Sequence, residues 1–486
     1  SEFVVDGFQV FCSEGVIMSA NNIYDAIVVG LGPGGSTAAY ELAWFGHRVL
    51  ALEKHKMPRA KTCGGCLSAK LQTIIEDDLA ALAEAVITRV ILTFRGQSDI
   101  AVESTKPLAY MVMRDKFDYH LAQEAAKVGV EIHDGEAVQA IKRENGYFEV
   151  KTSKDSYRSR FLIGADGVNG ISVRELGYGP KRQLAVALEG EVEMKPEIFP
   201  QLEHTVRLDI GEIPYGYGWL FPKKDHWSIG VGSVQALADH PKQYYAAFVD
   251  NQNLRDDIQN EKRSGYRIPL FAGRKSQIAG EASLLVGDAA ALVDPFLGEG
   301  IYYAIRSGQI AAETIRQALL ANSTDLTGYQ KAIEKEFYSE FEAAARLARF
   351  AFQFSKLGYA IFKARPKAAE AFVKILQGTS SYREFWRQVS SLSKYGLFGF
   401  LKLLKKDRAH AKHIYDRVAQ NYDALRFYWQ ETVARESMDY FYSFLKQHVQ
   451  DGATVLDAGA GTGESVKKPL AKARSKDQRQ TDRGTV

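Results

Sequence analysis

From Tyr24 to Val29 the chain is an apolar, β-branched run, the pattern of a strand buried on both faces. Gly30 ends it, a helical stretch runs from about Gly35 to Trp44, and a second buried run ends at Glu53. Residues 54–70 carry too much glycine and too many basic residues for an element interior and read as a loop. A helical pattern follows from Leu71 to Ala85, then alternation over Arg89–Phe94 and Asp99–Glu103 predicts strands. Met113–Val128 reads as a helix, with Asp115 near its start and Gly129 at its C-terminal end. Val130–His133 and Phe161–Gly164 return to the buried-strand style, and Ala137–Arg143 with Tyr147–Thr152 predicts a hairpin across Asn145-Gly146.

Between Leu184 and Gly232 the strands lengthen and alternate, which predicts a separate sheet. Leu284–Val286 resumes the buried style and leads into a helix ending near Leu320. The fold class is therefore α/β. A discontinuous Rossmann-like domain (18–183 and 271–324) carries an inserted antiparallel β domain (184–270), to which strands within 86–107 contribute, and C-terminal helices follow over 325–407. Residues 1–17 read as a vector- or untranslated-region-derived extension.

Composition is that of an ordinary globular protein, 46% hydrophobic and 25% charged. The net charge of +3 is a property of the basic tail 467–486, expected to be disordered, so no nucleic-acid partner is expected. Three cysteines make no disulfide framework and suit a reducing, cytoplasmic setting. Cys63-Gly64-Gly65-Cys66 has the C-x-x-C spacing but no second such pair, so no metal site is expected. No apolar run approaches the roughly 18 residues of a membrane span.

Gly30, Gly32 and Gly35 stand at G-x-G-x-x-G spacing between strand and helix, and Glu53 ends the next strand where a carboxylate meets ribose hydroxyls. The helix start would meet phosphates with free N–H groups. Gly164-Ala165-Asp166-Gly167 and Gly287-Asp288 each put a carboxylate just past a buried strand. In this order the three sites resemble the FAD signature of the para-hydroxybenzoate-hydroxylase superfamily. Arg114 is similar to that group's flavin-contacting arginine, and Asp294–Ile301 to its loop against the flavin ring. The resemblance implies FAD contacts at Gly34, Lys54, Val138, Gly167, Gly287, Asp288, Pro295, Gly298, Gly300 and Ile301 as well.

Two further stretches narrow the resemblance. Pro58-Arg59-Ala60-Lys61-Thr62-Cys63-Gly64-Gly65 resembles the P-x-x-K-x-C-G-G element of geranylgeranyl reductases. Tyr217-Gly218-Trp219-Leu220-Phe221-Pro222, seven residues, then Gly230-Val231-Gly232 resembles their Y-x-W-x-F-P-x7-G-x-G element. The resemblance spans about 22–400 and implies reduction of isoprenoid double bonds by reduced FAD, with NAD(P)H or a ferredoxin-type protein as electron donor. It implies catalytic roles for Cys63, Lys61, Gly64 and Gly65 and a substrate wall of Tyr217, Trp219, Phe221 and Pro222. An isolated alkene has no carbonyl to polarise, so hydride addition needs a proton at the other carbon. A thiol of pKa about 8.5 stays mostly protonated at neutral pH and can supply it. The alternative is a flavin monooxygenase acting on an aromatic or lipid ring.

Leu397–Lys406 joins an apolar run to a basic end, which suits a helix docking peripherally on the inner face of a membrane, where a prenyl lipid would be found, and equally a core helix whose cationic C-terminus satisfies its dipole. Beyond Arg408, Tyr415–Asp423 and Asp457-Ala458-Gly459-Ala460-Gly461-Thr462-Gly463 resemble the opening of a class I S-adenosylmethionine methyltransferase. That segment, 408–466, is expected to be truncated and inactive.

Overall fold

Burial on both faces makes the first strand, Ile23–Val29, the centre of a parallel sheet. It pairs with Val49–Glu53 on one side and Ser156–Gly164 on the other. Glu131–Asp134 extends the sheet beyond Val49–Glu53, and Ser283–Leu285 extends it beyond Ser156–Gly164. That last strand arrives only after the second sheet has been formed, so the nucleotide domain is discontinuous as expected. The hairpin Val138–Glu144/Tyr147–Thr152 turns at Asn145 and Gly146, both with positive φ. The computed structural model describes residues 23–234, 240–364 and 366–387, all within the compact unit 1–387. The 1–17 extension, Leu397–Lys406, the 408–466 segment and the 467–486 tail lie outside the described residues.

Three helices pack on this sheet: Pro33–Trp44, Arg114–Lys127 and Ile301–Leu320. The first and third touch backbone to backbone. A Cβ on Gly308 would sit 2.5 Å from the Gly34 carbonyl, and one on Gly34 would sit 2.9 Å from the Ala304 carbonyl.

The second sheet has seven strands in the order Ile258–Phe271, Arg182–Met194, Trp227–Val234, Gly216–Pro222, Thr205–Ile210, Arg89–Phe94, Gln97–Glu103. It departs from the expected antiparallel pattern at one junction, where Thr205–Ile210 runs parallel to Arg89–Phe94. These strands come from distant parts of the chain, so no tight hairpin constrains their direction. The later helices are Thr327–Ile333, Ser339–Gln353, Ser355–Ala364 and Pro366–Leu376.

The helix expected over Leu71–Ala85 does not form. A short turn, Ala69–Thr73, a four-residue helix, Leu79–Leu82, and a strand, Ala85–Ile87, replace it. Gln72 is the local cause: its amide donates to the Asp77 carbonyl at 2.8 Å and accepts from Leu79 N at 3.1 Å, taking backbone groups that a helix would use. Asp78 then restarts the chain by capping Ala80 N at 2.9 Å. The 54–70 loop likewise ends in a strand, Cys66–Ser68, because Ala109–Met111 is placed to pair with it.

Candidate functional site

The glycine turn is closed by backbone. Gly30 takes φ 103°, and a Cβ there would lie 2.5 Å from the Ala165 carbonyl. A Cβ on Gly35 would lie 1.9 Å from the Gly30 carbonyl. Gly32 differs: the nearest atom to its Cβ position is Arg59 Nη2, 3.9 Å away, so this glycine leaves open space. Helix Pro33–Trp44 begins at Gly32 without a side-chain cap, as Ile301–Leu320 does at Gly300. Two helix N-termini thus bring partial positive charge to one place.

Pro33, Ile301 and Gly300 line a cavity of about 890 Å³. Lys61, Cys63, Gly64, Gly65, Arg114, Asp288, Pro295 and Gly298 line it too, as do Tyr217, Trp219 and Phe221. Gly30, Gly32, Gly34, Gly35, Glu53, Lys54, Val138, Asp166, Gly167, Pro222 and Gly287 are not among its lining residues. Lys54 is exposed, and Pro222 pairs with Trp227 in the sheet. Asp166, expected at the cofactor, accepts from Ser172 N at 2.8 Å and Ser172 Oγ at 2.9 Å through one oxygen, while its other oxygen is buried without a partner. Its buried carboxyl is raised above the ordinary carboxylate range by desolvation.

Glu53 is buried at its strand end and accepts from Leu31 N and His55 N, each at 3.1 Å. Arg59 Nε approaches it at 3.3 Å, and Arg59 Nη1 lies 3.1 Å from Asp118. Asp118 in turn holds Arg114 through two bonds of 2.8 and 2.9 Å. Burial works against the charge on Arg114, but Asp118 and the nearby Cys63 sulfur outweigh it and raise its pKa. Arg59 occupies an unspecified position of the P-x-x-K-x-C-G-G stretch, so the motif assigned it no role.

The Cys63 loop is fixed by distant residues. Gly65 takes φ 63°, and a Cβ there would meet the Val112 carbonyl at 2.0 Å. A Cβ on Gly64 would press on the Phe221 ring at 2.9 Å. Lys223, itself buried, donates to the carbonyls of Gly64 at 2.7 Å and Val112 at 2.9 Å. Lys61 pairs with Asp288 at 3.4 Å, tying the loop to the last nucleotide segment. Cys63 and Cys66 are free thiols, and burial pushes Cys66 up to about 12.

The loop before Ile301–Leu320 is held just as firmly. Buried Asp294 accepts from Phe296 N at 2.6 Å and Leu297 N at 3.1 Å, and burial raises its carboxyl to about 6. Glu299 pairs with Lys70 at 2.5 Å, and the Tyr217 hydroxyl donates to the Leu297 carbonyl.

Tyr217, Trp219 and Phe221 follow one another at period two on one strand face. Their ring centroids are 6.1 and 5.9 Å apart, and Phe352 stacks on Tyr217 at 6.3 Å. The G-x-G partner strand makes room: a Cβ on Gly230 would lie 2.1 Å from the Trp219 indole. Trp219 Nε1 donates to Ser228 Oγ at 3.3 Å, and Ser228 Oγ donates to Glu189 at 2.6 Å. Glu189 lines the cavity and is 2% exposed.

These residues fit FAD. Gly32 leaves room beside an uncapped helix, Arg59 sits against that space, and the second helix start faces the same cavity, whose volume suits a planar ring beside a substrate.

A family profile for an FAD binding domain matches residues 23–215. The chloroplastic geranylgeranyl diphosphate reductase of Oryza sativa subsp. japonica is 30% identical over 373 residues, covering 72% of this chain and 77% of the relative. The digeranylgeranylglycerophospholipid reductase of Thermoplasma volcanium is 30% identical over 356 residues, covering 65% and 84% respectively. A crystal structure of a geranylgeranyl bacteriochlorophyll reductase-like protein from Thermoplasma acidophilum aligns with TM-score 0.61 at 27% identity, covering 67% of this chain and 88% of that one.

Proposed function

The chain belongs to the geranylgeranyl reductase family of FAD-dependent oxidoreductases, and we propose that it saturates C=C bonds of a geranylgeranyl or related prenyl-lipid chain. The observation that carries this reading is the docking of the Cys63 loop on the Tyr217–Phe221 wall inside one cavity. When bound, reduced FAD supplies a hydride. Gly30–Gly35, Arg59 and the two uncapped helix starts would hold it. The N-terminus of Ile301–Leu320 would favour negative charge on the bound cofactor.

The aromatic wall takes the isoprenoid chain, each CH₂ gaining about 0.8 kcal/mol on leaving water. Arg267 and Arg349, exposed and lining the same cavity, receive an anionic head group. Cys63 gives a proton to the carbon that does not take the hydride, and Lys61 holds Asp288 against the loop. Val112, Phe221 and Lys223 fix the path of the loop. NAD(P)H or a ferredoxin-type protein supplies the electrons.

Among the described residues no helix is long and apolar enough to cross a membrane. A substrate dissolved in lipid would be met by peripheral association with the inner membrane face. Anaerobic mixing of the reduced enzyme with geranylgeranyl diphosphate and with prenyl glycerolipids is the test. Flavin reoxidation with a product two mass units heavier per bond is expected. No reoxidation, together with a phenol-stimulated NADPH oxidase rate, would replace this reading with hydroxylation.

A further inference from the structure

Each double bond reduced consumes one proton, and a cavity walled by aromatic and aliphatic groups holds few. Behind the Cys63 loop a row of titratable groups runs from the cavity outward. Glu189 and Glu191 share one face of Arg182–Met194, two positions apart. Glu189 lines the cavity, while Glu191 pairs with His226 Nε2 at 2.7 Å. His226, 16% exposed, also meets the exposed Asp225 at 2.6 Å. Lys223 lies within electrostatic reach of Glu191, Glu189, Cys63 and Cys66. The Cys63 backbone N–H faces the Glu189 carboxylate. Lys223, His226 and Ser228 all fall in the seven-residue spacer between Pro222 and Gly230.

We propose that this row is a proton path, with Glu189 restoring the proton that Cys63 gives up and His226 and Glu191 reloading Glu189 from solvent. The inference rests on the prenyl-reductase reading. In the step, the Cys63 S–H bond breaks as C–H forms at the alkene. The thiolate then takes the proton of the Glu189 carboxyl, and the Glu189 carboxylate recovers one through Glu191 and His226. No net charge accumulates once a solvent proton has entered.

The surroundings suit these roles. Glu189 meets Ser228 on one neighbouring strand, Lys223 beside the Trp219 strand, Cys63 on the loop and Glu191 on its own strand. Burial is the largest influence and raises Glu189 to about 7, so it is an acid near neutral pH and stronger than an ordinary thiol. Burial opposes the charge on His226, but Glu191 and Asp225 outweigh it and raise its pKa, which favours the protonated ring.

The test separates the first turnover from the rest. Glu189→Gln should reduce the first double bond at a rate within about twofold of wild type, because Cys63 is already loaded. Later turnovers should slow by about a hundredfold, the scale of a lost acid–base partner. The wild-type steady rate should fall as pH rises through about 7, and Glu189→Gln should lack that limb. His226→Ala should slow turnover, and added imidazole should restore it. A Glu189→Gln enzyme with an unchanged steady rate, or one that also loses its first turnover, overturns the path.

A second readout needs no substrate. The infrared carboxyl band of Glu189, absent in Glu189→Gln, should exchange in D₂O several-fold more slowly in His226→Ala. Equal exchange rates overturn the path. Wild-type protein that reduces no prenyl chain while its band exchanges through His226 overturns the proposed substrate and leaves the path standing.

Discussion

Two glycine-rich loops border the cavity, and they are closed by different kinds of neighbour. In Gly30–Gly35 the tight contacts come from within the nucleotide domain: Gly35 on the Gly30 carbonyl, Gly30 on Ala165 and Gly34 on the Ala304 carbonyl. In Gly64-Gly65 they come from Val112, Phe221 and Lys223, up to 159 residues away. The first loop is closed entirely by its own nucleotide domain, so it says only that a dinucleotide binds. The second exists only when a second sheet is present to press on it. It can therefore carry what distinguishes one flavoenzyme from another.

The largest effects should come from filling either loop. Gly35→Ala and Gly65→Ala each place a Cβ within about 2 Å of a carbonyl oxygen, and overpacking of this kind costs about 3 kcal/mol or more. Gly35→Ala should yield insoluble or flavin-free protein. Gly65→Ala should lower the melting temperature and abolish prenyl reduction while retaining flavin, read from absorbance of the purified protein. Equal flavin loss in both would erase the contrast.

Cys63→Ser should keep FAD and slow alkene reduction by about a hundredfold in stopped-flow mixing. Flavin loss or a full rate would remove Cys63 from the chemistry. Gly32→Ala sharpens the comparison from the other side, because its Cβ meets only open space in the fold. It should melt within about 1 kcal/mol of wild type yet bind FAD more weakly in a titration of the apoprotein.

Lys223→Met leaves two buried carbonyls without their donor, costing about 1–3 kcal/mol, and should slow turnover without changing FAD affinity. Tyr217→Phe, losing one bond to the Leu297 carbonyl, should show the smallest change, about 1 kcal/mol in a denaturant melt. A larger loss of activity than of stability there would make the hydroxyl part of the chemistry.

The elements that the sequence announced are those whose signal is local. The buried run Tyr24–Val29, the Asn145-Gly146 hairpin and the alternating strands of the second sheet each carry their own periodicity. The missed helix over Leu71–Ala85 shows the limit: one side chain, Gln72, diverted the backbone bonds on which a helix depends. Among site residues, Cys63, Asp288 and Tyr217 were legible because they stand in spaced motifs. Glu189 and Lys223 were not, since a buried glutamate or lysine is written with the same letter as an exposed one.

By itself the sequence determined a nucleotide-binding strand and turn, a discontinuous α/β domain and the two stretches that resemble prenyl reductases. Backbone sterics and side-chain period act over a few residues, and that is enough to encode them. Only the tertiary structure decided that Asp166 closes a turn while Asp288 meets Lys61. It alone set Glu189 in an apolar cavity beside the Cys63 loop. Burial and charge pairing depend on chain segments far apart in sequence, and those meet only on folding.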